Sequence, residues 1–241
     1  MDFFEGTEKR ITLSSNINLL NVDIETWKIL LEKTGCTILS VIQNNLYIFF
    51  LLSESSFLVS ENWFMLKTCG KTEPLKIINN MFHIEIDNFM YSHSKFLRAI
   101  EQYYPYNNVD DEIEHIKNIF CNNNKINELI YCDNDDYFYC SFGKPEKYYE
   151  LTSRNFTWND DDGLYNLIMT NYSGVIIDFK QFDPVGYSLN ALIQNIYITI
   201  HVTPQHEFKY ISIETNMNNY NIFFNNIIKI TSMQNYKIFN N

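Results

Sequence analysis

Glycine and proline are scarce in this 241-residue chain, at 7 and 5 residues. That excludes a collagen-like or linker-dominated architecture. Cysteine is scarce and unpatterned: Cys36, Cys69, Cys121, Cys132 and Cys140 are odd in number, irregularly spaced and contain no CxxC pair. Neither a zinc site nor a disulfide scaffold is expected from them, and no metal is expected. The longest uninterrupted apolar run, Leu46 to Leu52, is far too short to span a bilayer. The first residues show no basic segment leading into an apolar core, so a reduced, cytoplasmic protein is expected. Basic charge is also in short supply. Eighteen Lys and Arg stand against 29 Asp and Glu, a net charge of −11, which disfavours nucleic acid or an anionic membrane as partner. An acidic surface serves solubility, and it suits a cationic ligand such as a sulfonium or a polyamine.

Aromatic residues are plentiful, with 19 Phe and 17 Tyr, which favours strands over an all-helical bundle. Periodicity places a helix over 23–34, capped by Asp23 and ended by Gly35, with Ile24, Trp27, Leu30 and Leu31 on one face. A second amphipathic helix is expected over 111–120, with Ile113, Ile116 and Phe120 on one face. A third is expected to start from a cap at Asp160 to Asp162 and run through Met169, and a fourth to span Tyr220 to Ile230. Strands are expected at 45–52, Phe57 to Val59, Trp63 to Thr68, Tyr137 to Phe142, Gly174 to Asp178, Tyr197 to Val202 and Tyr210 to Glu214. The polar stretch 121–136 reads as a surface loop. Blocks of strands and helices with short connections suggest an α+β fold with antiparallel sheets covered by helices. A single domain spanning 1–241 is expected, with no clear boundary or repeat.

Four segments carry possible chemistry. They are Phe3-Phe4-Glu5-Gly6-Thr7-Glu8-Lys9, Leu52-Ser53-Glu54-Ser55-Ser56, Leu66-Lys67-Thr68-Cys69-Gly70, and the block from Phe182 to Asn216. That block contains FDPVGYS at Phe182 to Ser188, TIHVTP at Thr199 to Pro204 and IETN at Ile213 to Asn216. Each is weak alone. Two acids three apart usually mark a solvated face, and a lone Cys after a strand is usually a packed thiol. Strand alternation puts Thr199, His201 and Thr203 on one face and Ile198, Ile200 and Val202 on the other, so His201 stands on a polar face where an imidazole can titrate near neutrality.

Taken together and in this order, the segments resemble the eukaryotic-type, pyruvoyl-dependent S-adenosylmethionine decarboxylase family. The resemblance runs over nearly the whole chain, including YSHSKF near Tyr91 and the acidic helix near Ile113. It implies a four-layer αββα sandwich with two central antiparallel sheets. It implies self-cleavage between Glu54 and Ser55 into fragments 1–54 and 55–241, leaving a pyruvoyl group made from Ser55. By the same resemblance His201 is the base of the cleavage and Ser188 steadies its oxyoxazolidine intermediate. Cys69 is the proton donor of turnover, and Glu5 and Glu8 are active-site carboxylates. Phe4 and Phe182 sandwich the substrate's adenine, Glu54 also contacts substrate, and the pyruvoyl carbonyl forms a Schiff base with the substrate amine. The implied activity is decarboxylation of S-adenosylmethionine to supply aminopropyl groups for spermidine and spermine synthesis. A same-fold decarboxylase of ornithine or arginine and a non-catalytic regulatory subunit are the rival readings.

The chain departs from the family pattern in several places. Gln205 stands where the family has the Glu that binds the ribose hydroxyls, with Glu207 two residues on as a substitute. Of the acids around the family's putrescine, two are read as replaced, by Thr12 and Asn166, and two as kept, Asp162 and Glu214. Putrescine activation is therefore not expected, with Lys67 serving to pair the remaining acids. The spacing from Ser188 to His201 is one residue shorter than usual. The chain stops soon after Phe239, so the last strands of one sheet are expected to be missing or rebuilt, which leaves a homodimer open.

Overall fold

A computed structural model of the chain describes residues 4–81, 84–123, 126–159, 163–183, 186–205 and 208–240. The cap expected at Asp160 to Asp162, the roles considered for Asp162 and Glu207, and the residues Phe3, Pro184 and Val185 of the motifs lie outside the described residues. The fold is α+β with two large antiparallel sheets. The first eight strands among the described residues form one sheet: β1 (Lys9–Ser15), β2 (Ile38–Gln43), β3 (Ile48–Leu52), β4 (Ser55–Val59), β5 (Trp63–Thr68), β6 (Ile86–Ser94), β7 (Ile130–Asp133) and β8 (Tyr137–Phe142), in the order β2-β3-β4-β5-β1-β6-β8-β7. The other six form the second: β9 (Tyr149–Ser153), β10 (Ile176–Gln181), β11 (Tyr187–Ile193), β12 (Ile196–Thr203), β13 (Tyr210–Thr215) and β14 (Lys237–Asn240), in the order β10-β11-β12-β13-β9-β14. The helices are α1 (Ile24–Glu32), α2 (Lys76–Asn79), α3 (Val109–Ile119), α4 (Gly163–Asn171) and α5 (Tyr220–Ile230).

The chain divides into two compact units. The first comprises Thr7–Leu39 and Leu52–Glu146. Register alone sorts its sheet into two chemically different faces. Ile11 pairs with Leu66 and Tyr91, and Leu13 with Phe64 and Phe89, so one face is aromatic and aliphatic. Trp27 of α1 packs edge-on against Phe57 and Phe64 at 5.0 and 6.0 Å. Phe120, at the end of α3, meets Phe89 at 4.7 Å and Phe142 at 4.9 Å. Each such side chain, fully buried, contributes roughly 1.5–3 kcal/mol of transfer free energy. The opposite parity carries Arg10 and Thr12 of β1 and Glu8 just before it, all buried. α1 starts as expected: the Asp23 carboxylate accepts from the Thr26 N–H at 2.8 Å, and Gly35 past its end has φ +84°. Ile24, expected on the buried face, is exposed, because it lies at the first helical position beside the cap. The stretch 121–136 is not a plain loop. It holds a 3-10 turn at Ile126–Glu128 and then β7, which pairs with β8 across a turn capped by the Asn134 side chain.

The second unit comprises Met1–Gly6, Ser40–Leu51 and Lys147–Asn241. Leu151, Leu189, Ala191, Ile198, Ile200, Val202, Ile211 and Ile213 line one face of the six-stranded sheet, and Leu164 and Ile168 of α4 and Phe223, Phe224 and Ile227 of α5 pack into the same core. The alternation read in the sequence at β12 is therefore kept, with Ile198, Ile200 and Val202 under the helices. The other face is polar and still buried, carrying Ser188, Asn190, Thr199, His201, Ser212, Glu214 and Glu150. Such a face needs hydrogen-bonded partners throughout, and Asn190 Nδ2 donates to the Phe50 carbonyl at 3.0 Å. The edge beyond β9 is taken by β14, whose Phe239 pairs with Glu150.

Candidate active site

The sequence-predicted residues fall into one constellation within each unit. In the first unit the site is the junction between β3 and β4. Glu54 is half-buried and Ser55 is 0% exposed. Ser55 opens β4 at φ +152°, in a region essentially reserved for glycine, a conformation costing on the order of 1–3 kcal/mol that surrounding contacts must hold. Those contacts are specific. The Ser55 hydroxyl donates a short hydrogen bond to the Glu8 carboxylate. The Glu54 carbonyl accepts from the Cys69 backbone N–H at 3.0 Å and from the Cys69 thiol at 2.9 Å. The Glu54 carboxylate accepts from the Thr37 N–H at 3.0 Å.

Electrostatics follow from the burial. Lys67 Nζ lies 3.2 Å from the Glu8 carboxylate, and both side chains are 1% exposed. Such a pair is held mainly because removing either member strands a charge. Burial pushes the Cys69 thiol well above its ordinary value, and the Glu8 and Glu54 charges push it the same way, so it stays protonated as a donor. The strand–turn–strand path explains why these groups meet: Lys67 is on β5, Cys69 follows it directly, and β5 lies between β1, which Glu8 directly precedes, and β4, which begins with Ser55.

In the second unit, Ser188 on β11 is directly opposite His201 on β12, and Ser188 Oγ lies 2.8 Å from His201 Nδ1. Thr203 Oγ1 is 3.4 Å from Nε2, and Ser212 of β13 is the neighbour on the other side. Ser188 and His201 are joined by a tight hairpin: Ile193 pairs with Ile196 across only Gln194 and Asn195, and Gln194 adopts φ +55°. Glu5 is buried and Phe4 is 41% exposed. The segment runs against β12 and β13 so closely that a Cβ at Gly6 would lie 2.7 Å from Thr203 Cβ, which only glycine tolerates. The half-buried Phe182 ring lies over Gly186, where a Cβ would approach it to 3.3 Å. Gln205 Oε1 is buried and has no hydrogen-bond partner among the described residues, an acceptor that a ligand hydroxyl would satisfy.

Two residues escaped the sequence reading. Glu150 of β9 is the direct cross-strand partner of Glu214 on β13, both are buried, and Tyr197 OH donates to Glu214 at 2.8 Å. Asn166, read as standing at the position of a lost putrescine acid, is exposed on α4, the helix packed on the apolar face. The alternation in Tyr149–Ser153 was the signal available for Glu150. Lys9 was quoted only as the end of a motif and is fully buried. Thr12 accepts a short hydrogen bond from Arg10. Among the described residues no group of His, Cys, Asp and Glu could hold a metal ion.

A family model described as Adenosylmethionine decarboxylase matches residues 1–176 and 160–238. The S-adenosylmethionine decarboxylase proenzyme of Xenopus laevis is 31% identical over 261 residues, covering 89% of this chain and 75% of that protein. The proenzyme of the same name from Drosophila melanogaster is 28% identical, covering 94% and 79%. That of Dictyostelium discoideum is 27% identical, covering 90% and 68%. The motif order, the strained serine met by a carboxylate and a thiol, and a match along nearly all of the sequence agree. The chain belongs to the adenosylmethionine decarboxylase family.

Proposed function

We propose that this protein decarboxylates S-adenosylmethionine to the aminopropyl donor of spermidine and spermine synthesis, after cutting itself between Glu54 and Ser55. One observation carries the reading. A serine at φ +152° donates its hydroxyl to Glu8 while the carbonyl before it receives two hydrogen bonds from Cys69. Glu8 is placed to accept the hydroxyl proton as Ser55 Oγ attacks the Glu54 carbonyl carbon. The oxyanion that forms there takes the Cys69 N–H and S–H as its donors, an arrangement whose single members are worth ~10²–10³ in rate elsewhere. The Glu54–Ser55 C–N bond then breaks, the nitrogen is protonated and an ester remains. His201, oriented by Ser188, is the base assigned to removing the Ser55 α-proton. Elimination releases the Glu54 carboxylate, and hydrolysis of the resulting enamine expels ammonia.

The residues around Ser55 fit the pyruvoyl group this chemistry leaves: the serine is fully buried, and its precursor hydroxyl is already engaged. Once formed, the group supplies a carbonyl that takes up the electron pair left when carbon dioxide departs. The protonated Cys69 thiol then returns a proton to the substrate α-carbon. Phe4 and Phe182 offer ring faces to the adenine, the buried Gln205 oxygen offers an acceptor to a ribose hydroxyl, and Glu5 offers charge to the cationic substrate. Putrescine insensitivity rests on Thr12 and Asn166 standing where the family has acids. Against it, Glu150 beside Glu214 places two buried carboxylates together, which favours a dication; carbon dioxide release with and without putrescine measures the response. The function itself is tested by a denaturing gel of the purified chain, mass spectrometry of its fragments and carbon dioxide release from labelled S-adenosylmethionine. Two fragments cut at Glu54–Ser55, a pyruvoyl terminus on the larger and release from this substrate are expected. A chain that stays whole and inert overturns the reading.

A further inference from the structure

Lys9 is a fully buried lysine with no part in the steps above. Placing an ammonium out of water is costly unless its donors are met, and here they are met specifically. Lys9 Nζ donates to the Gly70 carbonyl at 2.8 Å and to Gln102 Oε1 at 2.8 Å. It also lies over the rings of Tyr106 and Phe96, at 5.0 and 5.4 Å from their centroids, within the range where an aromatic face attracts a cation. Gly70 immediately follows Cys69 and turns the chain with φ +67°. The peptide that Lys9 holds is therefore Gly70–Lys71, on the far side of the Gly70 turn from Cys69.

Adjacent residues of extended chain point to opposite faces, so Glu8, just before β1, and Lys9, its first residue, bring two charged groups to one junction. Glu8 takes the Ser55 hydroxyl, and Lys9 takes the turn that aims Cys69 at Glu54. We propose that Lys9 is a positioning residue for self-cleavage: through the Gly70 carbonyl it fixes the Cys69–Gly70 turn so that the Cys69 N–H and thiol stay aimed at the Glu54 carbonyl. The Lys9 charge also opposes the upward push of Glu8 and Glu54 on the Cys69 thiol. This rests on the reading that the chain cleaves itself at Glu54–Ser55 with Cys69 as the donor to that carbonyl. Gln102, the other acceptor, serves a different end, tying the segment after Ala99–Glu101 to the sheet.

The test follows the full chain after cell-free synthesis, reading the rate at which fragments 1–54 and 55–241 appear and the melting temperature of each variant. Lys9→Met keeps most of the stem but loses the donors. It should slow cleavage roughly tenfold to a hundredfold, the scale of a misplaced catalytic group. Gln102→Leu removes the other acceptor and should lower the melting temperature while cleaving within about twofold of the wild-type rate. A purely structural lysine would make rate and stability fall together in both variants, and a tenfold slowing in Gln102→Leu overturns the proposal. If Lys9→Met does not fold, Lys9→Gln is measured in its place; a folded, uncharged Lys9 variant that cleaves at the wild-type rate also overturns it. Wild-type chain that never cleaves would sink the self-cleavage reading instead, which keeps the two failures apart.

Discussion

Replacing Glu8 by glutamine leaves the shape of the side chain and removes the charge that faces Lys67. In the folded protein Lys67 Nζ is 3.2 Å from Glu8 and both side chains are 1% exposed. At an effective dielectric of 20, opposite charges at about 4 Å attract by roughly 4 kcal/mol, and breaking a buried pair by removing one partner costs about 3–5 kcal/mol. Glu8→Gln should therefore destabilise the chain by ~3–5 kcal/mol. Lys67→Met alone should cost a similar amount. The double variant should recover most of the loss, because neither charge of this pair is then left facing an uncharged partner, giving a coupling energy of about 3 kcal/mol against additivity. The measurement is urea unfolding in a Ser55→Ala background, which keeps the chain in one piece and permits a two-state treatment. Self-cleavage should separate from stability: with Ser55 intact, the double variant should fold yet cleave at least tenfold more slowly, since no carboxylate receives the hydroxyl proton. Additive losses, with no recovery in the double variant, would refute a coupled buried pair. Wild-type cleavage in the double variant would refute the role given to Glu8.

His201→Ala should stop at the ester, because the hydroxyl can attack but the α-proton stays; hydroxylamine should then cut the stalled chain, and normal processing would move the base elsewhere. Cys69→Ala removes the thiol donor to the Glu54 carbonyl but keeps the N–H. Gel time courses should show cleavage slowed about tenfold, or ~1.4 kcal/mol of barrier. Trp27 is fully buried against Phe57 and Phe64, so Trp27→Ala should cost roughly 3–5 kcal/mol in urea unfolding. Alkaline pH should destabilise the fold. Burial pushes Cys36 and Cys140 up to about 12 from 9.0, so the unfolded chain loses these protons first. Stability is full below pH 9 and is lost as pH rises toward 12, by up to about 1.4 kcal/mol per pH unit for each thiol. Unfolding midpoints at pH 8 and 10 should differ less in Cys36→Ala.

Local chemistry made much of the fold legible before any coordinates. The Asp23 cap, the alternation in β12, the span Tyr137–Phe142 and the helix Tyr220–Ile230 depend on neighbours within a few residues, and all four stand where the sequence places them. The motif order likewise sufficed for the family. Legibility ended where position depends on distant strands. β7 is only four residues long and exposed throughout, too short for a hydrophobic pattern to mark, and only pairing with β8 makes it a strand. Glu150 became Glu214's partner because β9 inserts between β13 and β14, an order no local periodicity encodes.

The site divides in the same way. Sequence by itself determined which residues are present for the chemistry: a serine after a glutamate, a cysteine after a strand, a histidine on a polar strand face. Tertiary structure decided what each one touches. Only the pairing of β1 with β5 and of β5 with β4 brings Glu8 to the Ser55 hydroxyl and Cys69 to the Glu54 carbonyl. Burial, with the Glu8 and Glu54 charges, pushes the Cys69 thiol well above its ordinary value, and burial makes Lys67 and Lys9 depend on particular acceptors. A residue type fixes the chemistry available to a group, whereas its proton affinity and its aim are set by desolvation and by strands far away in the chain.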